Sequence, residues 1–202
     1  PTGHDVSSND AFRDSSRPAI TSTTPTYWMR ASEVYFLLAE AALHGFAVGG
    51  TAESLYEKGI EMSFEENGIA SSEVADYMSS GLKPSAYSFH LTNPGVNVDA
   101  PALTQATTEW TGTDEEKLEK IMIQKWIALY PNGQEAWTEY RRTGYPKLHS
   151  TITNYSNGEV DSEVGIRRMR FPTNKSTSAE DIANLESARK LLRGGLDKAG
   201  TR

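Results

Sequence analysis

The stretch "IMIQKWIALYPNGQEAWTEYRRTGYPKL", Ile121 to Leu148, constrains the fold more than any other part of the chain. The capping box Thr113-Asp-Glu-Glu116 stands before it and opens a helix running to Tyr130. Pro131-Asn132-Gly133 breaks that helix, a second follows over Gln134 to Arg142 with Ala136, Trp137 and Tyr140 inward, and "RRTGYP" closes it. On the first helix Leu118, Ile121, Met122, Trp126 and Leu129 recur at helical spacing, Ile123, Ile127 and Tyr130 form a second stripe, and a polar strip of Lys117, Lys120 and Gln124 remains. A helix so widely apolar is buried on most sides, which one hairpin partner cannot achieve. Periodicity assigns Trp126 and Trp137 to packing.

An earlier pair of helices has the same organisation. Tyr27 to His44, "YWMRASEVYFLLAEAALH", carries Ala31, Val34, Leu38, Ala41 and Ala42 at helical spacing and stops at Gly45. Thr51 caps a second helix, with Leu55, Gly59, Ile60 and Ser63 on one face and Asn67-Gly68 as a left-handed stop. Ala39, Ala42, Ala52 and Gly59 are small where two antiparallel helices would approach closely. Since glycine inside a helix costs about 1 kcal/mol relative to alanine, close packing is the expected reason for Gly59. Small residues that let two helices cross follow the logic of a tetratricopeptide-type unit, although no second copy keeps a clean register of about 34 residues.

The expected class is therefore mainly α, with tetratricopeptide-like helical hairpins interrupted by long irregular excursions. An irregular lead-in covers 1–25, hairpins cover 26–70 and 113–148, excursions cover 79–112 and 149–177, and a last helix capped by Ser178 covers 178–195. Within the second excursion, "IRRMRFP" is expected to be a short extended piece ending at Pro172. Excursions this long inside a compact domain are usually functional or mobile.

Few chemistries fit. Twenty Lys and Arg stand against 27 Asp and Glu, a formal charge of -7, with no long basic run, which argues against a nucleic-acid partner. No cysteine is present, so thiolate chemistry and disulfides are excluded. His4, His44, His90 and His149 form no paired-ligand motif, and neither a phosphate-cradling loop nor a G-x-S-x-G elbow occurs, so no metal, cofactor or catalytic residue is expected. Asp99, Glu109, Asp161 and Glu163 read as solvated loop charges. No apolar run is long enough to span a bilayer, for which about 18 residues are needed.

Glu33 and Glu40 differ because they share one largely apolar face of the first helix. Such carboxylates need partners, and Arg141 or Arg142 could supply a structural ion pair with bidentate geometry. Tyr87, Phe89, Trp110 and Tyr155 lie in the excursions, where no periodicity explains them. Flat rings on loops can stack on a sugar face, and Tyr87 and Trp110 are the candidate ligand-binding residues.

The segments "YWMRASEVYFLLAEAALHGF", "AESLYEKGIEMSFEENGI", "IMIQKWIALYPNGQEAWTEYRRTGYPKL" and "IRRMRFPTN", in this order, resemble the C-terminal part of SusD/RagB-type proteins. Gln124-Lys125-Trp126, Glu135-Ala136-Trp137 and Arg141 to Pro146 are the specific blocks. The resemblance implies a lipid-anchored protein on the outer face of the outer membrane, its anchor outside this chain. It also implies a non-catalytic role, in which a glycan or other nutrient is captured and passed to a SusC-type TonB-dependent transporter. A longer protein of which this is a C-terminal piece is expected. The competing expectation is a helical-repeat module that binds another protein.

Overall fold

A computed structural model of the chain describes residues 17–89, 98–151, 154–169 and 178–192. Two compact units emerge, Gly3–Leu148 and His149–Arg202.

The first unit is mainly α. Its elements are α1 (Ala31–Leu43), α2 (Ala52–Glu66), α3 (Ser72–Ser79), β1 (Tyr87–Phe89), β2 (Val98–Ala100), α4 (Asp114–Ala128) and α5 (Gly133–Thr143). α1 packs most extensively on α2, α4 lies against both, and α5 meets α4.

The α1 helix starts four residues later than periodicity suggests, because Arg30 is extended and provides no side-chain cap. Its first turn is completed instead from α2: the Ser32 N–H donates to Glu66 Oε1 at 2.9 Å and the Ser32 hydroxyl to Oε2 at 2.6 Å. This tertiary cap joins the start of α1 to the end of α2 and makes the pair antiparallel. The α2 helix begins with Thr51, whose side chain and that of Ser54 cap one another, and the left-handed stop is taken by Gly68 at φ 69°. Gly59 lies under the Phe36 ring.

Phe36, Ala39, Leu55, Tyr56, Ile60, Ile121, Met122 and Ala128 form the core. Val74, Tyr77 and Met78 of α3 pack against it at helical spacing. That eight-residue helix was not expected: it is one stripe long, flanked by serines, and has no side-chain cap.

On α4 the expected polar strip is corrected. Lys120, Gln124 and Lys125 are buried, whereas Ile127 is 53% exposed. The reason is that each buried polar group finds a partner on another element. Lys120 Nζ donates to the Glu109 carbonyl at 2.5 Å, Gln124 Oε1 accepts from the Tyr77 hydroxyl at 3.0 Å, and Lys125 Nζ lies 3.2 Å from Glu139 Oε1. Trp126 and Trp137 are half-buried, not core residues.

Asn132 caps α5 through Glu135 N–H, and Gly144 at φ 82° ends it. In the first excursion β1 and β2 pair antiparallel, Tyr87 opposite Ala100, and the Ser88 hydroxyl donates to Asp99.

The second unit holds a turn over 154–165 and α6 (Ala179–Lys190), capped reciprocally by Ser178 and Asp181. Asn154 Nδ2 donates to the Val160 carbonyl at 2.7 Å, and Asp161 Oδ1 accepts from the Glu163 and Val164 N–H groups. Those two N–H groups hold the Asp161 carboxyl below the usual aspartate range, so this loop carboxylate has a local structural use. Residues 166–169 form no strand, and the rest of "IRRMRFPTN", like 193–195 of the last helix, lies outside the described residues.

Candidate functional site

Two arrangements concentrate polar chemistry in the first unit. One is a chain of charges across α1, α4 and α5. Arg142 forks onto Glu40, Nη1 to Oε1 at 2.5 Å and Nη2 to Oε2 at 2.7 Å, and Nη2 also reaches Glu139 Oε2 at 2.6 Å. Lys125, 1% exposed, then lies between Glu139 at 3.2 Å and Glu33 at 3.9 Å.

Of the four residues singled out for ion pairs, Glu40 and Arg142 are thus brought together. Glu33 meets Lys125 instead of an arginine, because the α4 lysine is the cation that reaches the buried face of α1. Arg141 points elsewhere, its guanidinium 4.4 Å from the centre of the Trp137 ring.

The two buried acids respond in opposite ways. Burial pushes the Glu33 carboxyl above the ordinary glutamate range against the pull of Lys125. Burial acts on Glu139 too, but hydrogen bonds from Arg142 and the charge of Lys125 outweigh it and hold that carboxyl low.

The other arrangement is a cleft of about 330 Å³ between α3, the loop after it, residues 106–108 and α4. Leu82, Pro84, Ile123 and Ile127 give it apolar walls, and Tyr77, Lys83, Thr107, Thr108, Lys120 and Gln124 bring polar groups to it. Thr108 fixes the far wall: its hydroxyl donates to the Tyr77 and Met78 carbonyls at 3.1 and 3.0 Å, and its own carbonyl accepts from the buried Tyr56 hydroxyl at 2.8 Å. Burial raises the Tyr56 phenol further above its ordinary value.

Lys120 Nζ, besides Glu109, bonds the Thr111 hydroxyl at 3.1 Å. Burial holds its ammonium below the usual lysine value, against the opposing charges of Glu109 and Glu116. Lys83 is exposed at the rim and donates to Gln105 Oε1 at 2.6 Å.

Trp110 is partly buried against the core, its ring centre 5.0 Å from that of Tyr56, with Lys117 Nζ 5.6 Å over it. Tyr87 is 52% exposed on β1. Neither lines the cleft. Tyr155 is exposed in the second unit, and the Phe89 side chain lies outside the described residues.

Sequence reasoning missed Thr108 and Tyr77, whose value is set by contacts with residues about thirty or more positions away. Gln124 reads in sequence as part of a solvent-facing polar strip, and Lys125 only as part of a signature. A second hollow, about 550 Å³ and mainly apolar, is bounded by Trp126, Tyr130, Pro131 and Ala136. Among the described residues no group of three or more His, Asp or Glu could hold a metal ion, and no helix is long and apolar enough to cross a membrane.

Residues 1–202 match the SusD-like family, described as "Susd and RagB outer membrane lipoprotein". No curated protein matches the chain. Among solved structures, a SusD homolog from Bacteroides ovatus is 43% identical with a TM-score of 0.77, over 86% of this chain and 36% of its own. A chitin-binding SusD homolog from Flavobacterium johnsoniae is 42% identical with a TM-score of 0.74, over 87% of this chain and 36% of its own. A SusD homolog from Bacteroides vulgatus is 41% identical with a TM-score of 0.78, over 91% of this chain and 36% of its own. The chain therefore spans little more than a third of the length of these relatives. With the family match covering the whole chain and the helical hairpins superposing on these homologs, the chain belongs to the SusD-like family of outer membrane lipoproteins.

Proposed function

We propose that the protein carrying this chain captures a glycan at the cell surface and delivers it to a SusC-type TonB-dependent transporter without catalysing any reaction on it. The observation that carries this reading is the 42% identity to a chitin-binding SusD homolog over 87% of the chain.

In this reading the hairpins are a scaffold and the 79–112 excursion faces the ligand. Tyr87, half exposed on its hairpin, offers a ring face to a sugar. Trp110 contributes a smaller surface, since Tyr56 and Lys117 already occupy much of its ring. The charge chain through Glu33, Lys125, Glu139, Arg142 and Glu40 has a structural role, holding α1, α4 and α5 in register.

Calorimetric titration of the complete protein with a panel of neutral and acidic oligosaccharides tests the reading. Saturable binding of at least one carbohydrate is expected. Tight binding of peptides with no response to any carbohydrate would replace it with the helical-repeat interaction module.

A further inference from the structure

The cleft beside α4 has an unbalanced inventory of polar groups. Among the described residues no carboxylate lines it, although acids outnumber bases in the chain by 27 to 20. Two of its lining residues are lysines, and neither makes an ion pair among the described residues. Lys120, 5% exposed, is held by a carbonyl and hydroxyls, so its charge is positioned but not neutralised by contact. Lys83 uses one of its three donors on Gln105 and has two left for a ligand.

Gln124 adds a second observation. The residue is more than nine-tenths buried, its carboxamide oxygen is engaged by Tyr77, and its amide nitrogen has no partner among the described residues. That nitrogen keeps access to solvent, unlike the rest of the side chain. An amide with no partner at the wall of a cleft is an open position for a ligand acceptor.

The Thr108 proton is already shared by two carbonyls and the Tyr77 proton goes to Gln124, so these hydroxyls keep only uncharged acceptor oxygens. The charged capacity of the cleft is positive, over apolar walls, in a volume within the usual range of small-ligand sites, about 300–1,000 Å³. We infer that the cleft receives an acidic group, a carboxylate or sulfate, of a glycan, seated between Lys83 and the Gln124 amide with the sugar ring against Leu82 and Ile127. The inference rests on the glycan-capture reading and narrows it to acidic sugars.

The test is calorimetric titration of the complete protein with matched pairs: an oligogalacturonate and its methyl ester, a glucuronate-bearing xylo-oligosaccharide and its methyl ester, and a sulfated oligosaccharide and its desulfated form. The acidic member of at least one pair binds about tenfold or more tighter than its neutral partner, since hydrogen bonds to a charged group are stronger than those to a neutral one. The preference shrinks as salt is raised. Lys83→Gln, at an exposed position, brings the affinity of the acidic member down to within about threefold of its neutral partner's. Equal affinities within all three pairs, or an unchanged preference in Lys83→Gln, overturn the inference. If a neutral chito-oligosaccharide binds and no acidic sugar is preferred, the acidic assignment falls while glycan capture stands; if no carbohydrate binds, both fall.

Discussion

Gly59 of α2 sits so close beneath Phe36 of α1 that a Cβ built on it would stand 2.6 Å from Cε1 of the ring. Such a contact forces either the ring or the helices to move. Gly59→Ala gains about 1 kcal/mol of helix propensity but incurs about 1–3 kcal/mol of overpacking, so net destabilisation is expected. Urea unfolding midpoints check the sign. Phe36→Leu in the same chain should recover part of the loss, giving a double mutant less destabilised than the sum of the singles.

Tyr56→Phe removes the hydroxyl that the Thr108 carbonyl accepts and keeps the ring against Phe36 and Trp110. A loss of about 1 kcal/mol is expected in the same unfolding measurement. Because Thr108 also binds the Tyr77 and Met78 carbonyls, amide exchange in 106–108 should quicken more than exchange in α1.

The charge chain predicts unequal effects of removing its two inner acids. Glu139→Gln weakens contacts with Lys125 and Arg142 and leaves a buried lysine poorly compensated, which should cost about 2–4 kcal/mol. Glu33→Gln leaves Lys125 its nearer partner and removes a carboxylate that burial disfavours, so it should be near neutral at pH 7.

Acid unfolding separates the two by sign. The Glu139 carboxyl is held low in the folded protein, so its contribution is present above the ordinary glutamate value, about 4.3, and is lost as pH falls through its depressed value. Glu33 is raised, so its contribution is fully present below the ordinary value and is lost as pH rises through its folded value. In denaturant midpoints measured from pH 3 to 7, Glu139→Gln should flatten the acidic limb, and Glu33→Gln should flatten the limb above it.

Arg142→Lys exchanges a fork on Glu40 for a point charge. The arginine side chain is 44% exposed, which reduces the effect to about 1–2 kcal/mol in thermal or urea unfolding.

Local signals were readable wherever they are written in neighbouring residues. The Thr113 and Ser178 capping boxes, the Thr51 cap, the Pro131-Asn132-Gly133 break and the glycine at 59 each specify their own surroundings. The burial of Lys120, Gln124 and Lys125 was not readable, because whether a polar residue on an apolar helix faces water depends on partners such as Glu109, Tyr77 and Glu139. Trp126 shows the converse: its spacing reads as core, yet it borders the apolar hollow beside Pro131. Trp126→Ala should accordingly cost less than the roughly 3–5 kcal/mol of a fully buried tryptophan. The cleft itself was invisible in sequence, being assembled from α3, two loops and α4.

The central claim, that the 79–112 excursion carries a glycan, is tested most directly by calorimetric titration of the complete protein and its Tyr87→Ala variant with a glycan that the parent binds. Tyr87 is half exposed on a paired strand, so the thermal midpoint of the variant is measured beside its affinity to separate a loss of fold from a loss of ligand contact. An affinity about tenfold weaker is expected in the variant, the loss of one stacking ring. Parental affinity in Tyr87→Ala, or a parent that binds no carbohydrate at all, would contradict it.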